Sequence, residues 1–501
     1  MASDDSKSVN GSASTRGALE RRPLVDAAII AVLLAAGAAV LLYNLGLRPL
    51  AQHESTSWFI AQLELPALLE ALWSSELNAG LYYLSLHFWL GVGQSETTIR
   101  VLSVIFGAVT VPGVYLIGAH LFGRLAGVVA GVLLAGNLFF VRQGQEARGY
   151  ALSILLVTLA AYLLLLTLRG RKGVWPWYGV IGALAMYAHF FAGLVIGAHL
   201  LSLLFLARRE VPVRSLAKAY GLMALLVTPI AVFTATNDKG QVDWIHKPTL
   251  RRLLGGIREF TGGNGTLLMI LHGLFFIGLC ALLVWSLRRH GRSWKTWSYG
   301  FILLWLVVPL IISFGISYIK PVFVARYLII SFPALTLSVG AVVDSVAWKP
   351  VTLAGAFAAL VLAVQVLPDH YSEEGLQWQT VTEKIVARSQ SGDGIVVYAP
   401  TVMRPYLYHL ERLGARSQAP EPVYPSYSWS GFSQTRYSPN YGRIAEKVSS
   451  LRRVWLLQGY ANDRPRRKEG RRMEQMLMRA CGPPQTGSRY RLSLFVCDPQ
   501  S

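Results

Sequence analysis

Charge is scarce in this chain. Of its 501 residues, 15% are Asp, Glu, Lys or Arg and 53% are hydrophobic, where a soluble domain carries roughly a quarter charged residues. Cysteine is nearly missing, with three residues. Neither HExxH nor a paired CxxC is present, which argues against a structural or peptidase zinc site. A GxxxxGK[ST] loop is also missing, which argues against an ATP-driven pump. The 47 basic against 27 acidic residues give a net charge of +20, yet no aromatic-plus-basic recognition module accompanies them, so nucleic acid is not an expected partner. Few charges lie inside the apolar runs, which weakens a proton-relay transporter.

What the chain has instead is hydrocarbon. Many runs reach the ~20 residues that cross a bilayer, so the chain reads as a polytopic membrane protein. Residues 1–24 are Ser/Gly-rich and polar, and read as a disordered cytoplasmic N-terminus. The first apolar run, from about 25 to 45, is too long for a signal-peptide core and lacks a small-residue cleavage site, so it reads as a retained anchor. Arg16, Arg21 and Arg22 before it set the N-terminus inside and the following loop, 46–79, outside. That loop opens with AQHESTSWFIAQLE (51–64), which reads either as a solvated loop with an interfacial helix after it or as a site. AGLYYLSLHFWLGVG (79–93) is only about fifteen residues and is taken as not crossing. RGRKG (169–173), ARREVPVR (207–214) and RRHGRSWK (288–295) then all fall inside, with about eleven crossings.

On the outer face this topology collects His53 and Glu54, ELNAGLYY (76–83), RQGQEARGY (142–150), the loop 236–265 and YIKPVFVARY (318–327). Polar islands at membrane depth are costly and commonly mark function. His53 or Glu54 can accept a proton from an acceptor hydroxyl. Arg148, Lys320 and Arg326 are candidates for a phosphate, since guanidinium offers paired donors in a fixed fork. Glu146 can orient Arg148 or bind a sugar hydroxyl. Tyr82, Tyr83, Trp244 and Tyr327 either stack on sugar or isoprenoid or serve as interfacial aromatics. His189, in YAHFF at an outer turn, is either part of the site or a core histidine.

After residue 368 the composition turns polar, with short apolar strands at 394–400, 452–460 and 490–497 and a helical stretch at 378–390, suggesting a small α/β domain over 369–501. Cys481 and Cys497 both fall in it, on the oxidising side, where a disulfide is possible. Cys280 lies within an apolar run and reads as buried.

Residues 80–123, RQGQEARGYAL, YAHFF, VDWIHKP and PVFVARYLIISFPAL resemble bacterial members of the GT-C class of polyprenol-phosphate-dependent glycosyltransferases, of the family-39 type. That group includes protein O-mannosyltransferases and the lipid A aminoarabinose transferase. The resemblance covers nearly the whole chain. It implies an α-helical polytopic fold of about 11–13 transmembrane helices with the α/β domain outside, in a bacterial plasma membrane. The implied enzyme is an inverting transferase moving mannose or another hexose or pentose from a polyprenyl-phosphate donor to a lipid, glycan or protein acceptor. No cofactor is implied, and a divalent metal is left open. Such enzymes carry an Asp-Glu pair in the first outer loop; here His53 stands in the Asp position and Glu54 matches. Where relatives read His-Pro-Pro-Leu-Tyr-Tyr, this chain has Asn78, Ala79, Gly80, Leu81, Tyr82 and Tyr83. By resemblance, Arg148 and Arg326 bind the donor phosphate and Glu146 supports them. The rivals are an inactive relative that binds lipid-linked sugar, and a transporter of a lipid-linked glycan.

Overall fold

The computed structural model describes residues 23–236, 245, 247–263, 265–372, 378–398, 402–425, 439–459, 464–485 and 492–497. Among them, eight helices are long and apolar enough to cross a membrane, or nine if one bent pair counts as a span. The protein is a multi-pass membrane protein of helical fold. α1 (Pro23–Leu42) is apolar apart from Asp26 in its first turn, which pairs with Arg124 at 2.7 Å, and at 1.5 Å per residue its 20 residues match a ~30 Å hydrocarbon layer. It packs on α5 (Glu96–Leu121), where Gly37 lets Val111 approach to within 3.0 Å of the position a Cβ would take.

Between α1 and α5 lies a loop of short elements rather than one interfacial helix. α2 (Gln52–Ala61) and α3 (Leu65–Ala71) are separated by a break ahead of Pro66, which takes an early position in α3. Leu65, Leu69 and Trp73 are exposed at a four-residue spacing, which gives this segment one apolar stripe for lipid. A π-helical turn (Leu72–Glu76) and a 3-10 turn (Leu77–Ala79) follow. α4 (Gly80–Trp89) then runs for only 10 residues, too short to span.

The bent span joins α6 (Arg124–Ala135) to α7 (Leu138–Gln145) at 61°. Asn137 makes the break. Its side chain caps α7 by accepting from the Phe139 amide at 2.8 Å, and its amide donates to the Thr261 carbonyl at 3.1 Å. α8 (Tyr150–Leu168) returns, followed by the shorter α9 (Trp175–Ala188) and α10 (Ala192–Ser202). The remaining bundle is α11 (Val213–Thr236), α12 (Leu250–Phe260), α13 (Thr266–His290), α14 (Trp294–Ile316), α15 (Phe332–Ser345) and α16 (Lys349–Val364). α17 (Leu367–Ser372) straddles the composition change at 368.

The C-terminal region is a four-stranded sheet of order β2-β1-β3-β4, built from β1 (Gly394–Tyr398), β2 (Glu421–Tyr424), β3 (Arg453–Gln458) and β4 (Leu492–Val496). β1 pairs in parallel with β2 and β3, and β4 closes antiparallel on β3. β2 is unforeseen in sequence because Pro422 interrupts it; its place at the sheet edge tolerates a proline. Strand alternation splits the core in two. Ile395, Val397, Trp455 and Leu457 join α18 (Trp378–Arg388), α19 (Met403–Arg412) and the bundle in one buried cluster. Val396, Val454 and Leu456 face α20 (Tyr441–Ser449) and α21 (Arg464–Cys481). Cys481 and Cys497 are joined as a disulfide.

Candidate functional site

The α6–α7 bend delivers residues 146–149 to the end of the bundle that carries the α/β domain. Glu146 leaves the helix in extended conformation, and its carboxylate lies 3.1 Å from Nε2 of His53 in the first turn of α2. Burial works to raise the Glu146 carboxyl, and the His53 imidazole more than reverses this, leaving the group below the ordinary carboxylate range. With Nε2 turned to a carboxylate, Nδ1 is the proton-accepting nitrogen of the ring. The His53 side chain is 47% exposed, so an acceptor can reach it. Arg148 donates to the His53 carbonyl at 3.5 Å and to the Tyr83 hydroxyl at 3.4 Å. Tyr83 in turn donates to Glu76 at 3.3 Å. The Arg148 guanidinium lies 5.8 Å from the Tyr150 ring centroid.

Glu54 has a different environment from its neighbour. It is 2% exposed, and both carboxylate oxygens are taken. One accepts from Arg100 Nε at 2.8 Å and the Ala147 amide at 3.0 Å; the other accepts from Arg100 Nη2 at 2.7 Å and the Ala51 amide at 2.9 Å. Burial pushes the carboxyl upward, but Arg100 outweighs it by charge and paired hydrogen bonds and holds it down to about 2. Arg100 spends its remaining donors on the carbonyls of Leu45, Arg48 and Pro49. Glu54 therefore ties the first loop to α5 and to the Arg148 loop, and presents no vacant lone pair for a substrate proton.

The turn between α9 and α10 closes another side. His189 ends α9 in extended conformation (φ −164°, ψ 125°). Asn78 pins this turn by accepting from the Phe190 amide at 2.9 Å. Gly149 permits the approach of the Arg148 loop, since a Cβ there would meet the Ala188 carbonyl at 3.0 Å. Nδ1 of His189 accepts from the Phe191 amide at 3.2 Å. Its ring lies 4.9 Å from Tyr327 and 6.1 Å from Tyr150, and Arg326 sits over the Tyr327 ring at 5.8 Å. Burial first, then the charges of Arg148 and Arg326, hold the His189 imidazole down to about 3, so it is neutral.

The remaining sequence candidates are dispersed. Tyr82 is fully buried and its hydroxyl pairs with Ser103 of α5 at 2.9 Å, so it belongs to the core beneath the site. Lys320 lies exposed in the turn after α14. Trp244 falls outside the described residues. Sequence reasoning missed Arg100 and Arg404, and held Glu76 and Glu259 only as members of the outer islands 76–83 and 236–265 without a role. A lone arginine within an apolar run such as 99–122 demands a partner, and that signal points to Arg100. Glu259 of α12 has Arg142, Arg326 and Glu146 as charged neighbours, and Arg404 of α19 donates to the Thr56 hydroxyl at 2.8 Å. Nothing in the pattern around either foretells the approach. Among the described residues no group of three His, Cys, Asp or Glu is placed to hold a metal ion.

Residues 79–233, from the foot of α4 to α11, match the model of the family described as dolichyl-phosphate-mannose-protein mannosyltransferase. No curated protein matches the chain by sequence. The structure of ArnT from Cupriavidus metallidurans in the apo state superposes with a TM-score of 0.60 at 11% identity, covering 95% of this chain and 99% of that one. This is a GT-C fold. The same ArnT bound to undecaprenyl phosphate gives 0.59 at 10% identity, covering 95% and 98% of the two chains. The oligosaccharyltransferase of Archaeoglobus fulgidus in complex with Zn and sulfate gives 0.53 at 12% identity, covering 85% of this chain and 67% of that one.

Proposed function

We propose that this protein transfers a sugar, mannose or another hexose or pentose, from a polyprenyl-phosphate carrier to an acceptor on the outer face of a bacterial plasma membrane. The observation that carries this is the His53–Glu146 pair, half open to solvent, beside the Arg148 guanidinium. The fold shared with an ArnT that binds undecaprenyl phosphate supports a lipid-phosphate donor. The basic loops at 169–173, 207–214 and 288–295 lie at the opposite end of the bundle from the site, which supports an outward-facing site by the positive-inside rule.

The acceptor O–H gives its proton to Nδ1 of His53, while Glu146 stabilises the imidazolium that forms. The acceptor oxygen forms a bond to the anomeric carbon from the face opposite the phosphate. The bond from that carbon to the phosphate oxygen breaks, and its electron pair leaves on polyprenyl phosphate, so the centre inverts. Arg148 and Arg326 neutralise the charge that develops on the leaving group. Glu54 and Arg100 hold the first loop and the Arg148 loop in register. The acceptor, a lipid, glycan or protein, approaches His53 from the side of the α/β domain, where α19 packs on α2 through Arg404 and an edge contact between Trp58 and Tyr408 at 5.1 Å.

Reconstituted protein is incubated with radiolabelled polyprenyl-phosphate sugars and membrane extract. Transfer that is lost in Glu146→Gln and Arg148→Ala is the expected result. Movement of the lipid-linked sugar across sealed vesicles with no new glycosidic bond would replace the reading with a transporter. Binding without transfer would replace it with a lipid-sugar binding protein.

A further inference from the structure

Several buried polar groups of the bundle have no role in the steps above, and two histidines stand out. His189 and His199 are 4% and 0% exposed, and Nε2 of each is buried without a hydrogen-bond partner. A buried donor or acceptor left in that state is costly if nothing ever fills it. Their surroundings separate them. His199 lies among the rings of Tyr178, Phe301 and Trp305, and its Nδ1 meets the Tyr178 hydroxyl at 3.3 Å, so its surroundings are aromatic rather than charged. His189 lies against Tyr150 and Tyr327, and each of these rings carries an arginine, Arg148 on one and Arg326 on the other.

The backbone settles which nitrogen of His189 bears the proton. Nδ1 accepts from the Phe191 amide, and a neutral imidazole has a single accepting nitrogen. Nε2 is therefore an N–H donor. A metal ion is excluded as its partner, because Nε2 has no lone pair to offer in this tautomer and two guanidiniums repel a cation. Another donor is excluded for the same reason of polarity. The group that completes the site is an acceptor with negative charge and oxygens on more than one side.

We infer that His189 donates a hydrogen bond through Nε2 to a phosphate oxygen held between Arg148 and Arg326, and that Asn78 is the positioning residue that keeps the turn in place for it. This deepens the transferase reading and rests on it for the identity of the lipid tail. The bond adds direction without adding charge. A neutral donor holds one oxygen of the monophosphate product at a set angle, while the arginines balance its charge. The same bond is available to the donor's phosphodiester, so His189 acts on both sides of the reaction, more strongly on the product as its negative charge rises.

The test uses the full chain in lipid nanodiscs and a prenyl monophosphate, with the matching prenyl alcohol as control. Wild type is expected to prefer the phosphate to the alcohol. His189→Ala is expected to weaken phosphate binding about ten- to hundredfold, the range of a hydrogen bond to a charged group. His189→Gln, which keeps an N–H donor, is expected to recover part of the loss, and Asn78→Ala to weaken binding less than His189→Ala does. His199→Ala controls for the removal of a buried histidine and is expected to leave phosphate binding unchanged. In wild type labelled with 15N at histidine, the Nε2–H resonance of His189 is expected to shift when prenyl monophosphate is added, which keeps the test available if His189→Ala does not fold. If wild type prefers the phosphate while His189→Ala binds it equally well, or the Nε2–H resonance stays still at saturation, the inference is overturned and the transferase reading stands. If wild type binds alcohol and phosphate alike, both fail.

Discussion

Two polar clusters border the 146–149 loop, one around Glu54 and one around His189, and differ in one respect, whether their hydrogen-bonding capacity is used up. Around Glu54, all four contacts on the carboxylate and all five donors of Arg100 are made within the protein. Around His189, a buried donor has no protein partner and two arginines converge on its flanking rings. A saturated buried ion pair binds backbone segments together and has nothing left for a ligand. A buried donor left without a partner stores a cost that a ligand can relieve. Sequence proximity to a family motif therefore does not assign a chemical role. His53 and Glu54 are adjacent, and one faces the opening while the other faces the fold.

The contrast can be broken at several points. Arg100→Met leaves a carboxylate buried without its cation, and is expected to destabilise the protein by about 3–5 kcal/mol, read as a lower unfolding midpoint in detergent. Adding Glu54→Gln to that variant removes the stranded charge and is expected to restore part of the loss. An Arg100→Met protein as stable as wild type would end the claim that this node holds the loop. Glu146→Gln is expected to do the opposite, leaving the midpoint nearly unchanged while lowering the transfer rate about 10²–10⁴-fold. Acid should report on Glu54. Its carboxyl is lowered from 4.5 to about 2 on folding, so its contribution is complete above pH 4.5 and is lost as pH falls toward 2. That amounts to a decline on the order of 3 kcal/mol, absent in Glu54→Gln. A smaller effect is expected where the α/β domain meets the loop. Tyr408→Phe removes the hydroxyl that donates to the Gln94 carbonyl at 3.0 Å and should cost about 1 kcal/mol. Lys320→Gln, in an exposed turn, is expected to change prenyl phosphate binding less than about twofold, the scale of a screened surface charge.

Much of the architecture is legible in the sequence because its causes are local. Membrane-length apolar runs, the shortness of 79–93 and the polar turn at 368 each follow from residues a few positions apart. Strand alternation in GIVVY and RVWLLQ is equally local, and splits the α/β core as the side-chain period requires. β2 was hidden because a proline obscures a strand whose edge position is a fact of topology. The islands around 53, 78, 146, 189 and 326 could be named because a charge or a histidine among apolar residues is rare. Their roles could not be, because each depends on partners far along the chain. Glu54 meets Arg100 from 46 positions away, and Asn78 meets the Phe190 amide from 112 positions away. Composition determines that this chain lives in a membrane and which residues are costly there. Packing alone decides whether each of those residues is neutralised by the fold or left for a ligand, since that depends on which donors and acceptors arrive within about 3 Å.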